Sequence, residues 1–435
     1  MKVLSQNFQL DIAMSKPQSR VVNLIVALFF IEIVLAILGR PIPQNSLYKV
    51  YLVLSFGITL ITFMSVFLMK VGGIQKNFVW IILFTLFSFF LGFINGWNLV
   101  DILADTGRFI APFLAYYVGK SLFSKLTIKE IKVAIKRILR GLFVVFLFSL
   151  SIKVFSVVVI GDPIIKYPDG GIDVPLLLIS FFVVSWFYLR SPKKFSKYVL
   201  LLCVSMVLSP LMAASKSGII TVIFFVIFAP VVYGRFKHAV TSLIMVLIAG
   251  GLVLNSDAGM LLINRIVIAI EVVFRGGDVI GDMSSYARVV EANSAIEGLN
   301  TSWFFPLSYV FGNGSGSLWY TSIGLGSGLN DENFRADGGA HHIHIEVLSL
   351  LFRHGIVGLA IYLGWMFVVC YRAHKVSRYY VDHDIFLMGT SAAIVIVVIA
   401  SFLTMLTDTS LYGHFYVGLI AAVPAVILKN ISQRQ

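Results

Sequence analysis

Long unbroken apolar runs, separated by short polar segments, dominate the chain. They lie at roughly 22–38, 48–69, 78–94, 108–123, 141–160, 174–190, 198–214, 218–234, 238–255, 355–371, 386–406 and 412–428. A bilayer-spanning helix needs about 20 mostly apolar residues, with a range of about 17–25. Within lipid only helices and closed barrels satisfy their own backbones. The runs are continuous rather than alternating, so they predict about twelve transmembrane helices in an all-α polytopic fold. The first run lacks a small-residue cleavage site and reads as a signal anchor rather than a cleaved leader.

One interval breaks the rhythm. Residues 256–354 hold a large loop between the ninth and tenth predicted spans. Loops longer than about 12–15 residues are usually functional or disordered. This one carries structural patterning. Segment 261–274 reads as an interfacial amphipathic helix, since Asn264, Arg265 and Glu271 interrupt its apolar residues. Segment 284–298 reads as a second helix with Ser284 or Ser285 as its N-cap. Residues 312–339 read as a Gly-, Ser- and Asn-rich loop.

Composition agrees with this map. Apolar residues make up 58% of the 435, charged residues 13%, and the mean hydropathy is +0.92. The whole chain, 1–435, reads as one membrane domain. The net charge of +13 suggests nucleic acid until the charges are placed. Most Lys and Arg fall on the terminal segments and alternate loops such as 120–140 and 190–197, whereas the acids gather on the opposite loops. Under the positive-inside rule both termini are cytoplasmic and the large loop is extracytoplasmic. The basic balance thus marks a membrane face, not a nucleic-acid surface. Cys203 and Cys370 both lie in apolar runs, which leaves no disulfide framework and no cysteine metal site.

The densest polar cluster stands where the large loop enters the tenth span, Ala340-His-His-Ile-His344-Ile345-Glu346 through Arg353-His354-Gly355 to Gly358. At about 100° per residue, Gly355 and Gly358 fall close to the direction of His344, a small-residue strip that would admit a helix or a lipid chain. Arg353 falls on the opposite side, and His341 shares the face of His344. Interfacial histidines with packing glycines explain the same pattern. A metal site is the weaker reading, because Glu346 points away and no H-E-x-x-H is present.

These residues resemble the O-antigen polymerase and O-antigen ligase superfamily of bacterial membrane glycosyltransferases. The pattern is a His, one residue, nine more, then Gly-x-x-Gly: His344, Ile345, 346–354, Gly355 and Gly358. Ile345 stands where the family usually has a small polar residue. Upstream, Ser-Ser-Tyr-Ala-Arg288 is followed by Pro306 and by Gly312-Asn-Gly314-Ser-Gly316, similar to the family's Arg, Pro and glycine-rich turn. Ala214-Ser-Lys216-Ser-Gly218 resembles its outer turn, with Lys216 in the place of Arg. Lysine keeps the charge and loses the bidentate fork.

The resemblance implies an inverting, metal-independent glycosyl transfer outside the cytoplasm that needs no cofactor. It joins polyprenyl-diphosphate-linked repeat units into O-antigen or a related surface polysaccharide. Donor and acceptor are lipid-linked glycans, and polymerases of this kind are expected to work with a chain-length regulator. The expected location is a bacterial inner membrane, with the active site facing the periplasm or cell exterior. His344 would be the general base, because its pKa lies near operating pH. Arg288 and Lys216 would neutralise the departing diphosphate.

Each role has a plainer rival. Arg288 could form a helix-surface ion pair with Glu291 or Asp282, and Lys216 could be an exposed turn lysine. Gly312, Gly314 and Gly316 could form a backbone nest for phosphate or a plain flexible loop. Lys153, inside the fifth span, could snorkel outward, or face the substrate cavity and touch diphosphate, with Glu32 as a partner. Arg108, after Asp101 and Asp105, could line that cavity too. An O-antigen ligase acting on lipid A–core and a protein O-oligosaccharyltransferase are the nearest alternatives. A lipid-linked glycan transporter is the rival outside the class, although transporters set their sites at midplane on broken helices.

Overall fold

The computed structural model describes residues 16–39, 57, 76–155, 240, 244, 283–320, 339–340, 343, 345–380, 383–405 and 415–433. They are mostly helical. The elements are α1 (Lys16–Gly39), α2 (Lys76–Ile94), α3 (Leu99–Ser124), α4 (Ile128–Phe155), α5 (Met283–Asn300), α6 (Leu307–Phe311), β1 (Trp319–Tyr320), β2 (Gly339–Ala340), α7 (Glu346–Tyr379), α8 (Ile385–Met405) and α9 (Phe415–Ser432). Among the described residues, α7 is long and apolar enough to cross a membrane, and shorter apolar stretches run over Ser19–Ile31, Phe78–Ile94, Phe386–Ile399 and Tyr416–Ser432. The runs expected at 174–190, 198–214 and 218–234, and the amphipathic segment 261–274, lie outside the described residues, and of the run at 48–69 only residue 57 is described. Of the run at 238–255, only residues 240 and 244 are described.

Local chemistry fixes several helix ends. Asn98 caps α3 by accepting from the Val100 amide at 2.9 Å. Thr127-Ile-Lys-Glu130 forms a capping box on α4, in which Glu130 accepts from the Thr127 amide at 2.7 Å. Asp384 caps α8 by accepting from the amides of Phe386 and Leu387, and it also pairs with Lys132 of α4.

The main core joins α1, α3, α4, α7, α8 and α9. Small residues bring α3 and α9 together. A Cβ on Gly119 would lie 2.8 Å from the Leu419 carbonyl oxygen, and Gly418 packs on the backbone of Pro112. A second cluster joins α2, α3 and α7 through Phe78, Phe109, Phe113 and Tyr362. A third ties the loop to the bundle: Val290, Ala295 and Leu299 of α5 pack with Trp319, Ala340, Ile343 and Phe352. The helix expected over 284–298 is thus α5. The stretch expected as loop from residue 312 instead begins with a buried turn and continues into β1, which pairs antiparallel with β2 (Trp319 with Ala340, Tyr320 with Gly339).

Candidate functional site

The junction between loop and bundle is built around a break in α7. Gly355 has φ +63° and ψ −171°, which splits the element into two helical halves. Only glycine adopts that conformation cheaply. Its missing side chain also admits the Val310 carbonyl and the Gly312 amide. A kink frees carbonyls of the preceding turn, and buried carbonyls need partners. The glycine-rich turn supplies them. The Asn313 amide donates to the Phe352 carbonyl at 2.8 Å, and the Gly314 amide to the Arg353 carbonyl at 3.1 Å.

The rest of the turn is held as tightly. The Ser315 amide donates to the Ser88 carbonyl at 3.1 Å. The Gly316 amide donates to Asp105 Oδ2 at 2.8 Å. The Asn313 carbonyl accepts from Asn95 Nδ2 at 2.8 Å and from Trp97 Nε1 at 3.1 Å. Gly312, Gly314 and Gly316 all have positive φ, and each faces backbone of a neighbouring element where a side chain would stand. The segment is therefore neither a phosphate nest nor a flexible loop, because its amides are already committed to protein oxygens. It acts as a plug that ties α2, α3 and α7 together.

Two charged groups lie beneath the plug. Arg353 Nε meets Asp105 Oδ2 at 2.7 Å, with both side chains buried. The Arg353 guanidinium also donates to Ser349 Oγ. Arg353 thus faces the bundle core. His354 is fully buried, with Nδ1 2.8 Å from Ser88 Oγ and its ring 4.3 Å from that of Phe109. Gly358 leaves room for the His354 side chain and for Phe84.

This geometry corrects the face assigned to His344. Ile345 is the N-cap and α7 starts at Glu346, so His344 precedes the helix. The helix then breaks at Gly355. Regular helical arithmetic from His344 to Gly355 and Gly358 does not apply. Gly355 serves the kink and Gly358 the packing of His354. His344 and Lys216 themselves lie outside the described residues.

Arg288 is partly exposed on α5, and its Nη1 lies 3.9 Å from Glu291 Oε1, the ion pair that the spacing allowed. Arg108 is half-buried on α3, one turn beyond Asp105. The Lys153 backbone belongs to α4. Sequence reasoning missed the roles of Ser88, Asp105, Arg353 and His354. One signal was available: Ile102, Asp105, Phe109 and Pro112 share an i, i+3, i+7, i+10 face, which places Asp105 among buried residues. Comparison of the chain with protein-family models and with curated proteins finds no match.

Proposed function

We propose that the chain is a polytopic membrane glycosyltransferase, with about twelve spans, both termini cytoplasmic and its large loop outside. It polymerises polyprenyl-diphosphate-linked oligosaccharide repeat units. An acceptor sugar hydroxyl attacks the anomeric carbon of the donor glycan, and the bond to diphosphate breaks with inversion. His344 takes the hydroxyl proton. Arg288 and Lys216 neutralise the charge that develops on the diphosphate, with Arg108 and Lys153 as further cations along the cavity.

The observation that supports this reading is the shared packing of residues next to His344 and Arg288. Val290, two residues after Arg288, and Ile343, next to His344, pack in one cluster with Phe352. That cluster abuts the plug, so Val290 and Ile343, the described neighbours of Arg288 and His344, pack at one junction. A base and a cation that must meet one substrate need such common positioning.

The test is transfer by the purified full chain in nanodiscs, supplied with a lipid-linked repeat unit. A ladder of longer lipid-linked products, insensitive to EDTA and lost with His344→Ala, is expected. A general base contributes about 10²–10⁴-fold. A His344→Ala protein that makes the wild-type ladder would remove His344 from the mechanism.

A further inference from the structure

We infer that Lys120, Arg372 and Lys429, gathered from three helices at one end of the bundle, bind the phosphate of an anionic phospholipid whose acyl chain lies along the Gly364–Val368 face of α7. This goes beyond the transfer reaction and rests only on the chain's being embedded in a membrane.

Helices α3, α7 and α9 run parallel. Phe109 meets His354, Phe113 meets Tyr362 and Tyr116 meets Arg372 in order along α3 and α7. In the same way, Gly418 packs on Pro112 and Ala115, and Gly119 packs on Leu419 and Ala422. Their C-terminal ends therefore converge. The Arg372 guanidinium donates to the Tyr116 hydroxyl, and Lys120 follows one turn further along α3. Lys429 lies in the last turn of α9, seven residues beyond Ala422, which packs against Gly119 next to Lys120. Lys120 and Arg372 are half-buried, and Lys429 is exposed.

Among the described residues, no carboxylate pairs with any of the three. Glu130 is occupied in capping α4, and Asp384 in capping α8 and pairing with Lys132. Helix C-termini contribute only about half a negative charge each, which leaves the three cations in excess. A phosphodiester would relieve their repulsion and accept hydrogen bonds from the guanidinium and both ammonium groups.

The face of α7 above Arg372 favours a lipid over a free anion. Gly364, Val368 and Arg372 succeed one another at i, i+4 and i+8. Among the described residues, nothing lies within 4 Å of the place where a Gly364 side chain would project, and Val368 is exposed. Phe367 and Tyr371, both exposed and stacked with ring centroids 6.5 Å apart, form a ridge beside this notch. An apolar groove ending at a cluster of cations is complementary to an acyl chain and its headgroup.

The test uses the full-length protein, delipidated in neutral detergent and titrated with dioleoylphosphatidylglycerol, dioleoylphosphatidylcholine or inorganic phosphate. Bound lipid is counted by native mass spectrometry. Wild type should retain phosphatidylglycerol in preference to phosphatidylcholine, and phosphate should not displace it. The Lys120→Gln/Lys429→Gln variant should bind phosphatidylglycerol roughly tenfold more weakly or worse. Lys429→Gln alone, at an exposed position that leaves folding intact, should lose part of the affinity, while Lys375→Gln should lose none. Gly364→Leu fills the notch without changing charge and should also weaken retention. Equal retention of both lipids, wild-type retention by the double variant, or displacement by inorganic phosphate would each overturn the proposal.

Discussion

Asp105 and Arg353 form a buried ion pair, Oδ2 to Nε at 2.7 Å, between the first turns of α3 and the last turn before the kink of α7. Asp105 also accepts the Gly316 amide, so one carboxylate holds both the guanidinium and the plug. Breaking a buried pair by removing one partner costs about 3–5 kcal/mol, because the other charge is stranded. Asp105→Ala and Arg353→Met should each lower the melting temperature in detergent sharply. Asp105→Asn combined with Arg353→Met, which keeps an acceptor for the Gly316 amide, should recover part of the loss. Single variants as stable as wild type would show that the pair does not hold the junction.

Glycines on α7 should respond in opposite ways. Gly355→Ala places a side chain at positive φ against the Val310 carbonyl and should destabilise the protein or abolish its folding. Gly364→Ala meets nothing within 4 Å among the described residues and should leave thermal stability unchanged or slightly raised. Comparable losses from both, read by fluorescence size-exclusion on heating, would contradict the kink assignment.

The helical content was legible in the sequence because continuous apolar runs leave few alternatives. The position of α5 was legible from the sequence, but its start was not: Met283 already belongs to the helix, so Ser284 and Ser285 lie inside it and do not cap it. The kink was not. Gly355 sits inside an apolar run, where a glycine reads as a packing residue, and only its partners at Val310 and Gly312 reveal the break. The plug was hidden for a related reason. Its bonds are made by backbone amides of residues 313–316, and a Gly-Asn-Gly-Ser-Gly sequence reads equally well as flexible. The Asp105–Arg353 pair joins segments far apart in the chain, and helical spacing reports only which face a residue occupies.

The cations assigned to the diphosphate can be told apart from structural charges. On the proposed reading, Arg288→Ala should reduce transfer strongly, while Glu291→Gln, which alters only the acid 3.9 Å from Arg288, should retain most of it. Lys216→Arg should keep activity and Lys216→Ala should lose much of it, because charge matters more there than shape. Equal loss of melting temperature in Arg288→Ala and Glu291→Gln, with transfer per folded molecule unchanged, would reduce the pair to a structural contact.

Orientation has its own check. In a background lacking Cys203 and Cys370, a cysteine at exposed Glu297 should react with an impermeant thiol reagent added outside intact cells. A cysteine at exposed Lys375 should react only after permeabilisation. The reverse pattern would invert the map drawn from the Lys and Arg distribution. Ser317 is fully buried and would be silent from either side.

The most direct test of the proposed polymerase is the glycan left when the gene is deleted from its host. A polymerase joins repeat units but does not attach them to their final anchor. Single units would still be exported and anchored, so gel analysis of the surface glycan should show one repeat per anchor and no ladder, with no long chains in the extracted lipid-linked pool. Long lipid-linked chains accumulating beside a bare anchor would contradict the account and identify a ligase in its place.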